Sequence, residues 1–136
     1  MAANVYNVSK NNIDTTDLRV LLLVGYTFDA DHATVAAVIA AATGECTFTN
    51  YARKALADEA FTVINATDRG MLDATDPAVW ASAGGAVNNL VSHAVVYDHN
   101  TNDADSIPVS CHTVGLNTNG GELDINLHAD GILYTS

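Results

Sequence analysis

The apolar residues of this chain come in short runs, and this feature limits the possible folds more than any other. The longest run, residues 20–24, has the length of a strand and is followed by Gly25. A helix needs about 20 consecutive apolar residues to span a bilayer, so the sequence predicts no transmembrane helix. Residues 18–24 carry leucine or valine at nearly every position, which predicts a strand buried on both faces.

Further strands are predicted later in the chain. Residues 90–97 form a second run rich in valine, and residues 122–128 alternate strictly between apolar and polar side chains, as half-buried antiparallel strands do. Pro108 has no backbone N–H, so it indicates the beginning or an edge position of a strand. Clusters of Asn, Asp, Gly and Thr between the runs predict turns. Other strands are predicted over residues 46–51, 60–65, 107–114 and 132–134.

One segment has the period of a helix. Starting at Val35, apolar side chains stand at i, i+3, i+4 and i+7, which gives one apolar face to a helix over about residues 33–43. Asp31 is placed to cap the N-terminus of this helix, and Gly44 follows its last turn, where a glycine commonly ends a helix.

These elements predict a mainly β protein, an antiparallel sandwich or open barrel with one short helix. A chain of 136 residues, of which 49% are hydrophobic, is long enough for one domain with a real core. Residues 1–17 are polar with no clean period, and we interpret them as an extended N-terminal arm. Residues 18–136 are predicted to form a single mostly-β domain.

The charge balance argues against two kinds of partner. Five Lys and Arg against sixteen Asp and Glu give a net charge of −11. A nucleic-acid binder needs cations that displace counterions from phosphate, and an anionic membrane surface repels an acidic protein. We therefore expect neither nucleic acid nor membrane as a partner. Only 15% of residues are charged, and an uncharged polar surface suits extensive protein interfaces because it is easily desolvated.

The reactive residues form no catalytic, cofactor or metal pattern. Glycine-rich phosphate loops and a nucleophile elbow are absent from the sequence. Ser92 and His93 are adjacent on a predicted strand and should point to opposite faces, so we expect no direct contact between them. His93 and His112 lie in predicted strands that could pair across a sheet, and both are predicted to be structural. Cys46 and Cys111 are predicted to be free, buried thiols, with a bridge as the alternative. We predict no enzyme, no cofactor and no metal site.

The polar segment 98–105 begins like a calcium-binding loop, with oxygen-bearing side chains at Asp98, Asn100 and Asn102. The pattern then fails, because Asp103 stands where the bend needs glycine and Val109 stands where a bidentate carboxylate is required. We interpret the segment as a hairpin loop, with a weak calcium site as the alternative.

Five segments stand in an order that resembles a known family. Residues 18–32 give a short apolar strand and then a loop with Tyr-Thr, Asp and His, and residues 50–56 are a degraded copy of a GYTxGGxxL element. Residues 72–80 (LDATDPAVW) are similar to an LDADDVTW segment. Residues 92–98 (SHAVVYD) are similar to an ARYAVVYD strand, and residues 121–133 to a closing GxFTIxWdaDGIL. In this order they resemble small tailed-bacteriophage virion proteins described as head decoration, cement or head-fibre proteins.

The resemblance covers about residues 18–134, and it departs from the family pattern in two places. Arg53 and Lys54 replace the glycines of the second element, and residues 81–89 look like an insertion. No catalytic residue carries over, because the resemblance implies none.

The resemblance implies a capsid decoration protein on the exterior of the virion, made in the host cytoplasm. It would bind the major capsid protein, bridge neighbouring capsomers and stabilise the mature head against internal DNA pressure. A ligand that binds only the expanded shell stabilises that shell by mass action. Members of the family are often trimers, so a homotrimer is expected.

Two groups of residues are candidates for contacts with neighbouring molecules. The arm is expected to reach a neighbouring subunit, and removal of residues 1–16 to leave a folded protein that no longer binds capsids. Aromatic side chains dominate the energies of many interfaces, although a place in the core is the alternative for each aromatic in the domain. The candidates are Val5, Tyr6, Val8 and Ile13 in the arm, and Tyr26, Phe28 and Trp80 in the domain.

Two other functions stay open from the sequence. A tail or fibre-base virion protein that helps in host attachment would present aromatic side chains to host glycans. A small hydrolase or metal-dependent enzyme would contain metal, or would melt at a lower temperature with a chelator.

Overall fold

The computed structural model describes residues 3–6, 17–64, 69–75, 79–125 and 133–135. These residues form nine strands and one helix in chain order. The elements are β1 (Ala3–Val5), β2 (Leu18–Val24), α1 (Val35–Ala41), β3 (Gly44–Glu45), β4 (Lys54–Ala55), β5 (Ala57–Ile64), β6 (Arg69–Thr75), β7 (Leu90–Asp98), β8 (Ile107–Asn117) and β9 (Leu133–Thr135).

The fold is mainly β and antiparallel with one short helix, as predicted. The large sheet is open and has the strand order β1-β8-β7-β2-β3, and the short strand β4 also pairs with β2. A three-stranded sheet has the order β5-β6-β9. In the part of the chain that the structure describes, no helix combines the length and the apolar character needed to cross a bilayer.

Strand β2 lies inside the large sheet and is buried on both faces, which confirms its prediction. It pairs with β7 in a register that runs from Leu18 opposite Asp98 to Leu23 opposite His93. Alternate side chains of β2 enter two different cores. Leu18, Val20 and Leu22 belong to the first core, with Phe48 and Trp80, and Leu21 and Leu23 belong to the second core, with Val35 and Val38 of the helix.

Helix α1 is shorter than predicted, and neither predicted cap is used. It spans Val35–Ala41, and its N-cap is Thr34, whose Oγ1 accepts a hydrogen bond from the Ala37 backbone N–H at 3.1 Å. Asp31 lies in a turn three residues earlier, and Gly44 belongs to β3. The N-cap prediction was wrong because another capping residue, Thr34, stands directly before the apolar face. The prediction for Gly44 was wrong because the helix ends two residues earlier, where Ala42 takes an extended backbone conformation.

The other strand predictions have mixed outcomes. Strand β7 is confirmed, and Pro108 lies at the second residue of β8, as predicted. The strand predicted over 46–51 is wrong: residues 46–51 form a loop, in which the Tyr51 N–H donates to the Phe48 carbonyl at 2.9 Å. Asn50 has a φ of 70° there, and this left-handed backbone interrupts an extended strand.

The strand predicted over 122–128 is largely absent from the described residues. Leu123 makes an isolated antiparallel bridge to Trp80, residues 124–125 continue without strand structure, and 126–128 lie outside the described residues. The bridge nevertheless puts Leu123 into the first core, on the face that the alternation assigned to it.

The first described residues of the predicted arm are an edge strand of the large sheet. Strand β1 is antiparallel to β8, with Ala3 opposite His112 and Val5 opposite Ser110. Candidates Val8 and Ile13 lie outside the described residues, and Val5 is described only through its backbone pairing. The division of the chain at residue 17 stays a prediction.

Candidate interaction site

Tyr6 anchors the N-terminal strand in the second core. Its side chain is fully buried, and its backbone N–H donates to the Val109 carbonyl at 3.2 Å. Its hydroxyl lies 3.0 Å from the Tyr26 hydroxyl, and its ring centroid lies 5.0 Å from that of Phe28. Burial raises the pKa of Tyr6 far above its usual range, so the hydroxyl stays neutral. The N-terminal strand is therefore fixed by both packing and hydrogen bonding.

A chain of polar groups leads from Tyr6 to the surface. The Tyr26 hydroxyl also lies 2.9 Å from His32 Nδ1, and His32 Nε2 lies 3.9 Å from a carboxylate oxygen of Asp29. The Tyr26 ring meets the ring of His93 edge to face at 5.5 Å. Burial raises the pKa of Tyr26 as well. These contacts tie the loop after β2 to the N-terminal strand.

The predicted aromatic interface residues lie in the protein's own cores. Tyr6, Tyr26 and Trp80 are at most 4% exposed, and Phe28 is partly buried against the second core. Trp80 donates from Nε1 to the Ala52 carbonyl at 2.7 Å. These aromatics therefore lie in the core, which was the alternative interpretation of the sequence. Contacts between them and a neighbouring molecule stay a prediction.

Ser92 and His93 contact each other, and the expectation from strand alternation was wrong. A register shift between Val91 and His93 breaks the alternation, and His93 Nδ1 lies 3.1 Å from Ser92 Oγ. The Ser92 hydroxyl donates to the Leu23 carbonyl at 3.0 Å and accepts from the Tyr26 N–H. The proton that a general base would remove is thus committed to the backbone. Burial lowers the pKa of His93.

The other predicted reactive groups are buried, and the two cysteines lie on opposite faces of the sheet. Ser110 Oγ lies 3.0 Å from His112 Nε2, and both residues are fully buried. Cys46 belongs to the first core and Cys111 to the second, so the sheet separates the two thiols. Both are free, as predicted, and burial raises the pKa of each to about 12. A thiol with such a pKa is a poor nucleophile at neutral pH.

The segment 98–105 connects β7 and β8, as a hairpin loop. Its oxygens are used within the turn and toward Arg53: the Ser106 hydroxyl donates to the Asn102 carbonyl at 2.8 Å, and Asn102 Oδ1 accepts from the Asp105 N–H at 3.1 Å. Among the described residues, no group of three or more His, Cys, Asp or Glu is placed to hold a metal ion.

Arg53 joins separate parts of the chain beside the turn of β7 and β8. Its guanidinium donates to both carboxylate oxygens of Glu45, at 2.9 and 2.7 Å, and to both of Asp103, at 2.7 and 2.9 Å. It also lies 5.5 Å from the centroid of the Tyr97 ring. These hydrogen bonds lower the pKa of Asp103. We call Arg53, Glu45, Asp103 and Tyr97 the arginine end.

A second region, missed by the sequence interpretation, lies where β7 begins and β8 ends. We call residues 47–50, 79–90 and 113–121 the uncharged cap, since they contain no Asp, Glu, Lys or Arg. The loops of the cap are joined by many hydrogen bonds. The Gly84 N–H donates to the Thr49 carbonyl at 2.9 Å and the Gly120 N–H to the Ala83 carbonyl at 2.7 Å. The Val87 N–H donates to Thr49 Oγ1 at 3.0 Å.

The uncharged cap also holds the exposed apolar side chains. Among the described side chains, four large hydrophobic ones are exposed, and all four belong to the cap. Leu90 lies opposite Asn117 and Leu116 opposite Val91, so strand alternation places Leu90 and Leu116 on opposite faces of the sheet. The four are Val79 at 36%, Val87 at 50%, Leu90 at 53% and Leu116 at 50% exposure.

The signal in the sequence was the absence of charge from stretches far apart in the chain. The pairing of β7 with β8 and the hydrogen bonds between the loops bring these stretches together. Comparison of the chain with protein-family models, with curated proteins and with solved structures found no match. The functional interpretation therefore rests on the residues of this chain.

Proposed function

We propose that this protein is a bacteriophage capsid decoration protein. It binds the major capsid protein on the outer surface of the mature head, bridges neighbouring capsomers and stabilises the shell. The proposal is supported by one structural observation. The segments that carry the sequence resemblance, although far apart in the chain, contact one another.

The central contact joins the first and fourth segments, since β2 pairs with β7 over six residue pairs. The second segment meets the first where the Leu56 N–H donates to the Leu18 carbonyl at 2.8 Å. The second also meets the third, through the bond from the Trp80 indole to the Ala52 carbonyl. The third meets the fifth, because Trp80 and Leu123 exchange backbone hydrogen bonds of 2.9 and 3.0 Å.

The charge of the chain suits this function. A net charge of −11 discourages binding to packaged DNA. A decoration protein that binds only the expanded shell adds about 2.7 kcal/mol of stability per site when its free concentration is 100 times its dissociation constant. Many copies, each with modest affinity, can then hold a shell closed.

Antibodies against the chain test the proposal on particles released from the cells that make it. Gold-labelled antibody viewed by electron microscopy should decorate the heads of intact particles. Label on the tail or its tip would replace this proposal with the host-attachment function. A chain that does not co-purify with particles at all would overturn any virion role.

A further inference from the structure

We propose that Asn119 is a site of spontaneous covalent modification, at which the backbone nitrogen of Gly120 displaces ammonia from the Asn119 side chain whenever the surrounding turn opens. The product carries a carboxylate and therefore adds a negative charge to the uncharged cap. The reaction needs only this chain and water, so it goes beyond the proposed function and does not depend on it. The sequence at the turn, the exposure of Asn119 and the hydrogen bonds of the turn support the proposal.

The position of Asn119 in the sequence sets it apart from the other asparagines. It is the only asparagine of the chain that a glycine follows. Asparagine is among the thermolabile residues of proteins. A following glycine favours loss of the side-chain amide, because it has no Cβ to obstruct the approach of its own nitrogen and its backbone is free to adopt unusual conformations. Asn119 is also exposed, so water reaches the side chain and ammonia can leave.

The reaction is balanced by the atoms of the turn and a water molecule. The Gly120 nitrogen attacks Cγ of Asn119, so that a new N–C bond forms while the bond from Cγ to Nδ2 breaks. The proton of the Gly120 amide leaves with the side-chain nitrogen, which departs as ammonia, and a cyclic succinimide remains. Water then opens the ring. Attack at the side-chain carbonyl carbon gives aspartate, and attack at the backbone carbonyl carbon gives isoaspartate.

The folded turn brings the reacting groups together and also restrains them. The Asn119 side-chain carbonyl accepts a hydrogen bond from the Gly121 N–H at 3.0 Å, which holds the side chain against the backbone that follows it. The Gly120 N–H, whose proton must be lost, donates to the Ala83 carbonyl at 2.7 Å. The Ala83 N–H in turn donates to the Gly121 carbonyl at 2.8 Å. The nucleophile is therefore occupied while the turn is closed, and the reaction requires local opening.

Modification would change the cap permanently. The residues of the cap include no Asp, Glu, Lys or Arg, so the new carboxylate would be the first charged side chain among them. Isoaspartate also lengthens the backbone by a methylene group, which should weaken the two backbone hydrogen bonds between Ala83 and the turn. Water does not restore the amide, so modified copies accumulate as the protein ages.

Incubation of the purified chain at mildly alkaline pH, followed by ion-exchange chromatography and peptide mapping by mass spectrometry, tests the proposal. The wild-type chain should slowly gain negative charge, and the change should map to Asn119 before any other asparagine. Asn119→Gln should abolish this gain, because glutamine must close a larger ring. Asn117→Gln is the matched control, since Asn117 is also exposed but is followed by Thr118, and it should gain charge like the wild type. A different first site, or equal effects of both variants, would overturn the proposal.

A second comparison tests the control by the turn. The chain unfolded in urea should modify Asn119 about tenfold faster than the folded chain, because the Gly120 N–H is then released. Gly84→Ala, which strains the backbone next to Ala83, should speed the reaction in the folded protein, whereas Gly44→Ala should leave its rate unchanged. If Gly84→Ala fails to fold, urea below the unfolding range takes its place. Equal rates in the folded and unfolded chains, or no modification of Asn119 in folded protein, would overturn the proposal.

Discussion

The two ends of the β7–β8 pair are held together by different chemistry. At the arginine end, one guanidinium joins two carboxylates from distant parts of the chain, and an aromatic ring lies beside it. At the uncharged cap, backbone amides, carbonyls and threonine hydroxyls connect three segments without any charged group. At both ends, these contacts hold loops in place around the ends of two paired strands.

The difference indicates how each end responds to salt and pH. An ion pair must be kept partly dry to be strong, and its unmatched neighbours repel an acidic partner. The residues of the cap carry no charge themselves, and the Lys54 ammonium lies 5.6 Å from the centroid of the Trp80 ring.

The largest effect on stability is expected from Arg53→Met. This change leaves Glu45 and Asp103 partly buried without their cation, and should lower the free energy of unfolding by about 2–3 kcal/mol. Urea denaturation measures the loss. Arg19→Met is the matched control, because the Arg19–Asp17 pair is more exposed and should contribute less than about 1 kcal/mol. Equal losses for both variants would show that the arginine end is not specially stabilised.

Gly84→Ala should have the next largest effect, and it acts on the cap. The φ of Gly84 is +88°, and a Cβ would overlap the side-chain carbonyl of Asn88 and lie 2.8 Å from Thr118 Oγ1. A loss of about 2 kcal/mol in the free energy of unfolding is expected. Gly44→Ala is the control, since a Cβ there meets nothing within 4 Å. A Gly84→Ala protein as stable as the Gly44→Ala protein would contradict the fixed backbone of the cap.

The pH dependence of stability should distinguish the two ends. Arg53 lowers the pKa of Asp103 in the folded protein. The stabilisation is thus fully present above the unfolded pKa of about 3.9 and is lost as pH falls through the lower folded value. The stability difference between wild type and Arg53→Met should therefore shrink by about 1 kcal/mol below pH 4, since solvent screens the partly exposed Asp103 carboxylate. Urea denaturation at pH 6 and pH 3 measures the difference, and a constant value would contradict the assignment.

The smallest effect is expected from Thr49→Val in the cap. The variant keeps the shape of the side chain and removes the acceptor of the Val87 N–H. Because both groups are exposed, water replaces the lost bond and the expected loss is about 0.5 kcal/mol. Differential scanning calorimetry should show a slightly lower melting temperature at every pH, in contrast to Arg53→Met. Thr27→Val, an exposed substitution outside the cap, is the comparison. If Thr49→Val lowered the free energy of unfolding as much as Arg53→Met does, the stability of the cap would depend on this one hydrogen bond.

The sequence was sufficient for the parts of the fold that have a strong local pattern. The apolar run of β2 and the valine-rich run of β7 predicted two buried strands, and these two strands pair at the centre of the sheet. The periodicity of the apolar residues predicted helix α1. It did not predict the N-cap, because several residues before the helix are suitable caps and Thr34 is the one used. Positive φ at Asn50 ended a predicted strand, and such backbone choices depend on contacts with distant residues.

The candidate sites depended on tertiary contacts and were harder to predict. Residues 1–16 were expected to be removable, but the structure places Tyr6 in the second core. Removal of this segment should therefore destabilise the domain as well as remove any contact to a neighbour. Arg53 was noticed only as a departure from the family pattern, because no local signal identifies Glu45 and Asp103 as its partners among sixteen acids. The uncharged cap forms only when three separate stretches of the chain meet in the folded protein.

Cryo-electron microscopy of the intact particle tests capsid decoration most directly. We predict density for this chain on the outside of the head, between capsomers. Density on the tail would contradict capsid decoration itself.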